Sequence, residues 1–223
     1  MTEMIDDFRS EMKELHHRYY SFDFCYAHFR QTRALPAKQR DIEKSCQVLW
    51  SYLASWGMLR GSSFLLQKNP AYLKELVEWI YEQPESTWEI DVEHYDTQAD
   101  LILALYSQAK EKILKGKQHQ AATLVTKILL GVFAIVPAFD RFFKETFSEI
   151  AGEQCGFSML NKISLDVIHQ FYLENQQEIN QLSKKLSVCD FNGQPTSYHY
   201  SQAKIIDMYG FRASFNHSQK NNK

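Results

Sequence analysis

The chain is poor in the residues that mark several functional classes. It has four cysteines in 223 residues, Cys25, Cys46, Cys155 and Cys189, widely separated and with no Cys-x-x-Cys. Reduced, buried thiols are therefore indicated rather than a disulfide framework. The eight histidines form no His-x-x-x-His pair and no His-Glu-x-x-His motif. No local metal-ligand spacing exists, and the sequence predicts neither a metal nor a cofactor. There is no Gly-x-Ser-x-Gly elbow. Gly57 and Gly61 lack the lysine that a nucleotide-binding loop requires. No stretch is long and apolar enough to span a bilayer, and the N-terminal MTEMIDDFRSEM is acidic and amphipathic, unlike a signal peptide. These absences predict a soluble, cytoplasmic protein. Basic charge is not in excess either. Lys and Arg total 25 against 27 Asp and Glu, a formal charge of −2. That balance argues mildly against a dedicated nucleic-acid binder, while leaving room for a local basic face.

What the chain does have is helical periodicity. Hydrophobic residues make up 44% and aromatics 14%, enough for a substantial core in one domain. Ile5, Phe8, Met12 and Leu15 lie three or four apart, and the pattern predicts a helix from near Thr2 that persists through the aromatic-dense HHRYYSFDFCYAHFR to about Arg33. Those rings read as core, with a base-stacking platform as the alternative. Ile42, Cys46, Leu49, Leu53 and Trp56 form a second stripe, closed by a glycine-bracketed segment around Arg60. That segment reads as a left-handed helix cap or as a nest for an anion. Further stripes follow from Pro70, Leu101, Ser164 and Tyr198, and VCDFNGQPTS reads as a turn. The polar, acidic EQPESTWEIDVEHYDTQAD marks a candidate internal boundary near 83–97, and 216–223 reads as a disordered polar tail. The expected architecture is an all-α, single multi-helix domain over 1–215.

The longest mostly apolar segment is Ala121–Phe147, AATLVTKILLGVFAIVPAFDRFFKETF. Leu124, Ile128 and Val132 predict a core helix, and Pro137 forces a turn near Ile135–Pro137. Phe139, Phe143 and Phe147 predict a second helix with Asp140 near its start, supported by Asp140–Lys144 and Arg141–Glu145 pairs. The simplest role for Asp140 is to open that helix, where its dipole favours an acid.

A helix ending in an apolar segment, then a Pro or Val, then an Asp opening an aromatic-rich helix, resembles the active-site half of helix-hairpin-helix DNA glycosylases. The likeness covers roughly Lys112 to Phe147. It implies that Asp140 assists departure of a damaged base, with Lys112, Lys115, Lys117 and Lys127 holding a DNA backbone. The chain departs from the family ahead of the core helix, where ILKGKQHQAATLV replaces a glycine-rich hairpin. The chain as a whole is also similar to small bacterial all-helical proteins.

Two further readings stand beside this one. A non-catalytic helical protein would bind a protein partner or a second copy of itself through an apolar face. A helical ribonuclease of the kind named for higher eukaryotes and prokaryotes nucleotide binding would use an Arg followed by a His, as at Arg9 and His16 or Arg212 and His217.

Overall fold

The structure is a computed structural model that describes residues 1–12, 14–117 and 119–221, with side chains described as far as Phe215. It is all-α, with a single small sheet among the described residues. The helices are α1 (Thr2–Ser10), α2 (Tyr20–Arg33), α3 (Ile42–Ser55), α4 (Lys74–Glu82), α5 (Tyr95–Leu114), α6 (Ala122–Phe133), α7 (Arg141–Ala151), α8 (Lys162–Glu174), α9 (Gln176–Lys185) and α10 (Gln202–Asn221). Strands β1 (Ser187–Cys189) and β2 (Pro195–His199) pair antiparallel. Among the described residues no helix is long and apolar enough to cross a membrane.

Helix α6 is the centre of the molecule. Every residue from Leu124 to Phe133 is buried, so it has no solvent face, as a helix that is apolar all round must. It packs against α2, α3 and α5. Gly131 is where α3 comes closest: a Cβ there would sit 2.3 Å from the Tyr52 ring. The helix stops as expected before Pro137, but the stop itself is Ala134, which takes a left-handed conformation (φ 56°) and donates its N–H to Leu129 O and Leu130 O.

From Ala134 to Phe139 the chain is an irregular, buried strap. Buried backbone groups outside helices need partners, and side chains supply them. Ser201 Oγ donates to Ala134 O (2.7 Å) and the Tyr95 hydroxyl to Ile135 O (2.7 Å). Asp207 accepts from Ala138 N–H (3.0 Å), and Thr126 Oγ1 from Phe139 N–H (2.9 Å). The strap thus joins α5, α6 and α10 before the chain enters α7.

One expectation needs correction, and two other segments differ from their outward composition. The N-terminal helix is not continuous to Arg33: α1 ends at Ser10, and α2 begins only at Tyr20. The Thr2 N–H and hydroxyl are drawn instead to Glu178 on α9, at 2.6 and 2.5 Å. The segment 83–97, expected as a candidate boundary, is packed into the fold. Its apolar residues Trp88, Ile90, Val92 and Tyr95 are all buried, and Arg30 of α2 donates to Trp88 O (2.6 Å). Asp91 accepts from Val92 N–H and from Gln202 and Ala203 N–H at the start of α10. The acidic composition hid a second set of inward side chains. Lastly, α10 runs to Asn221, into the stretch expected to be a disordered tail; residues 222–223 lie outside the described residues. Asn, Gln, Ser and Lys carry only small helix penalties, so an established helix extends through them.

Candidate functional site

Asp140 is where the sequence places chemistry. It is the N-cap of α7: one oxygen accepts from Phe143 N–H (3.1 Å). The other accepts from Lys127 Nζ (2.9 Å), and the two side chains are 17% and 4% exposed. The ion pair expected with Lys144 is replaced by this one, while Arg141–Glu145 forms as expected at 2.7 Å. Both oxygens of Asp140 are thus engaged within the fold.

The four lysines do not converge. Lys127 points inward from α6, and its burial removes it from any contact with a nucleic-acid backbone. Its helix has no solvent face, so a cation there must be paired inside. Lys115 binds Glu75 (2.8 Å) and lies over the Tyr72 ring (4.8 Å). Lys117 sits over Phe64 (5.1 Å), and Lys112 is half-buried near the end of α5. Three basic residues therefore cluster around the C-terminal end of α5, apart from Asp140, and Lys115 there is already neutralised.

A second buried pair repeats the arrangement of the first. Lys204 Nζ on α10 bonds Asp207 (2.8 Å), with side chains 3% and 11% exposed. The two pairs are linked by the strap, since Asp207 holds Ala138 and Asp140 follows two residues later. Trp56 lies among them. Lys127 Nζ is 4.7 Å and Lys204 Nζ 5.8 Å from its ring centre, and Arg18 approaches it at 5.5 Å.

Arg18 also lines a groove of about 700 Å³ between α2 and α3, walled by the turn before α2 and the tip of the β1–β2 hairpin. The expected turn VCDFNGQPTS forms that hairpin, and Gly193 adopts a positive φ (77°) in its turn. Phe191 at the tip is 78% exposed and lies 5.4 Å from Phe24, which in turn lies 6.0 Å from Tyr20. The aromatic segment after His17 therefore serves two faces. Tyr19, Phe22, Tyr26 and Phe29 enter the core as expected, while Tyr20 and Phe24 are half-buried toward the rim. His16, His17, His28 and Lys44 add to the lining, and Asp190 is its one carboxylate among the described residues.

The environment of the groove is tuned by burial. His28 bonds Ser45 Oγ at 2.9 Å, and burial, reinforced by Lys44, lowers its pKa to about 4, so it is neutral near pH 7. Burial holds the Tyr52 phenol, on the groove floor, far above its ordinary value, and Asp207 and Asp140 add to the effect. Behind the groove, Asp23 accepts from Cys189 N–H (2.8 Å) and the Tyr200 hydroxyl (2.7 Å), and burial raises its carboxyl to about 6.

The Arg9–His16 pair does not assemble. His16 is exposed and bonded to Glu14, Arg9 lies over Tyr200, and Arg212 pairs with Glu11. His217 falls outside the described side chains. Sequence reasoning passed over Phe191 and Lys44, while Arg18 and His28 lie in the aromatic segment whose alternative reading is a base-stacking platform. The signal for Phe191 was an aromatic residue in the otherwise polar Asp-Phe-Asn-Gly turn. Comparison with family models, curated proteins and solved structures finds no match to the chain.

Proposed function

We propose that the protein binds nucleic acid through unpaired bases, at the groove between α2 and α3. The observation that carries this reading is Phe191, 78% exposed at the groove rim and next to Phe24. An exposed ring backed by further rings, with Arg18, Lys44, His16 and His17 alongside, is the arrangement on which bases stack while cations follow the phosphates. The groove volume of about 700 Å³ suits one or two nucleotide units. DNA remains the proposed partner, and its contact moves from the α5 lysines to this groove.

The test is fluorescence anisotropy with a labelled oligothymidylate at low salt. Wild type binds, and affinity falls as salt rises. Phe191→Ala removes a side chain that the core does not use, and it weakens binding by about 1–3 kcal/mol, the worth of one stacked base. Absence of wild-type binding, or equal affinity in the variant, overturns the reading and leaves a helical interaction module as the alternative.

Base excision at Asp140 is a second reading, favoured by one observation: an ammonium and a carboxylate held 2.9 Å apart beside the Trp56 ring. There Asp140 would offset positive charge developing on the sugar. Incubating wild type with duplexes that carry oxidised, alkylated or deaminated bases tests it. Base release that disappears in Asp140→Asn while the Asp140→Asn, Lys127→Met variant, freed of the unpaired charge, is folded by circular dichroism and also inactive supports it, and no release from any duplex removes it.

A further inference from the structure

Behind the groove wall lies a hydrogen-bonded chain that the stacking rings do not account for. Ser45 of α3 is fully buried, and three groups meet its hydroxyl: Asp41 O at 2.8 Å, the Tyr81 hydroxyl at 2.8 Å and His28 Nε2 at 2.9 Å. A hydroxyl has one proton to give and two lone pairs. Ser45 gives its proton to Asp41 O, the backbone carbonyl one turn back. It therefore accepts from the other two groups, and His28 carries its proton on Nε2. The lone pair of His28 Nδ1 is left free.

That lone pair opens into the groove. His28 is half-buried and lines the groove, and among the described residues no group bonds its Nδ1. Nδ1 is not one of the buried side-chain atoms that lack a partner, so it is accessible. Burial, reinforced by Lys44, keeps the ring neutral near pH 7, and Nδ1 then accepts and does not donate. Its surroundings are ordered. Phe24, which backs Phe191, precedes His28 by four residues on α2, so their Cβ atoms lie about 5–6 Å apart on one helix face. Lys44, the neighbour of Ser45 in α3, is exposed on the facing wall and is a donor only. Asp190, the one carboxylate of the lining among the described residues, spends Oδ1 on the N–H groups of Asn192 and Gln194.

We propose that His28 reads the edge of a base bound in the groove. Nδ1 accepts from a ring N–H, Lys44 donates to the carbonyl oxygen beside it, and the base stacks against Phe24 and Phe191. The ligand class is a keto base: thymine, uracil or guanine. Cytosine and adenine do not fit, because at neutral pH the matching ring nitrogen carries no proton. The assignment rests on the groove reading given above and adds base selection to it. Stacking on Phe191 tolerates any base, whereas an acceptor left unmatched in a half-buried site is penalised.

The experiment uses the full chain and has two arms. In the first, nitrogen NMR of the histidine rings at neutral pH reports the tautomer with no ligand present. His28 shows an unprotonated Nδ1 and a protonated Nε2, and a protonated Nδ1 overturns the assignment. In the second, labelled oligothymidylate is compared by anisotropy with the same strand carrying N3-methylthymine. Methylation removes the ring proton and keeps the stacking face, so wild type binds the methylated strand about tenfold more weakly. Oligocytidylate likewise competes about tenfold more weakly than oligothymidylate. His28→Ala leaves Ser45 its bonds to Asp41 and Tyr81, and it binds the methylated and parent strands alike. Equal binding of the two strands by wild type, an undiminished methylation penalty in His28→Ala, or equal competition by oligocytidylate overturns the assignment while the groove reading stands. No binding of any strand overturns both.

Discussion

At the scale of single residues, Asp140 carries one bond that a helix cap alone does not require, the ion pair with Lys127. Asp140→Asn keeps an oxygen for Phe143 N–H but leaves Lys127, 4% exposed, without its counter-charge. Breaking a buried pair in this way costs about 3–5 kcal/mol. The variant is therefore expected to unfold at much lower urea than wild type, and adding Lys127→Met should recover most of the loss. A midpoint unchanged in Asp140→Asn would show that the pair contributes nothing. Core and surface positions should separate just as clearly. Val132 is fully buried, so Val132→Asp costs several kcal/mol, whereas Lys115→Ala breaks only an exposed pair worth about 0–1 kcal/mol. Equal thermal shifts for the two would contradict the core. The capping role of Asp140 was legible, because an acid before a periodic helix has few other uses. The burial of Lys127 was not: its partner lies 13 positions away, across a turn whose path only the fold defines.

Among elements, the attachment of the hairpin and of α10 depends on buried acids. Asp23 of α2 holds β1 and Tyr200, and Asp91 holds the first turn of α10. Burial raises both carboxyls from 3.8 to about 6. Between those values the folded chain keeps protons that the unfolded chain has lost. Their contribution to stability is therefore full below about 3.8 and is lost as pH rises to about 6. His28 acts in the opposite sense: lowered from 6.5 to about 4, it stabilises above 6.5, and that contribution is lost as pH falls toward 4. The opposing contributions flatten the wild-type profile. His28→Gln removes one side of the balance, and its urea midpoint should be higher at pH 5 than at pH 7 by a wider margin than in wild type. A midpoint that climbs from pH 5 to pH 7 in this variant would refute the assignment. Periodicity made the long helices readable, since α3, α6 and α7 repeat apolar residues along one or more faces. It failed at 83–97, where the chain makes 3₁₀ turns and the inward residues follow neither helix nor strand spacing. The groove was hidden for a related reason: its walls come from residues near 18, 44 and 191, which only tertiary packing brings together.

Across the whole molecule, a single hydrophobic core includes buried residues from α1 to α10. Because the polar segment before α5 is docked onto α2 and α10, fragments 1–90 and 98–223 each lack surfaces that they need for burial. Neither is expected to show a cooperative melt in isolation, while the intact chain should give one transition by circular dichroism and by tryptophan fluorescence. Two resolved transitions would restore the boundary. The strap after α6 also bears on the order in which the chain is made. Its backbone groups are met by Tyr95, which precedes them, and by Ser201 and Asp207, which follow by more than sixty residues. During translation the strap is therefore out of the ribosome long before its last partners exist, although α2, α3 and α5 are already there to cover α6. Until residue 207 has emerged, the backbone groups at Ala134 and Ala138 must be met by water or by transient contacts, so the strap sets last.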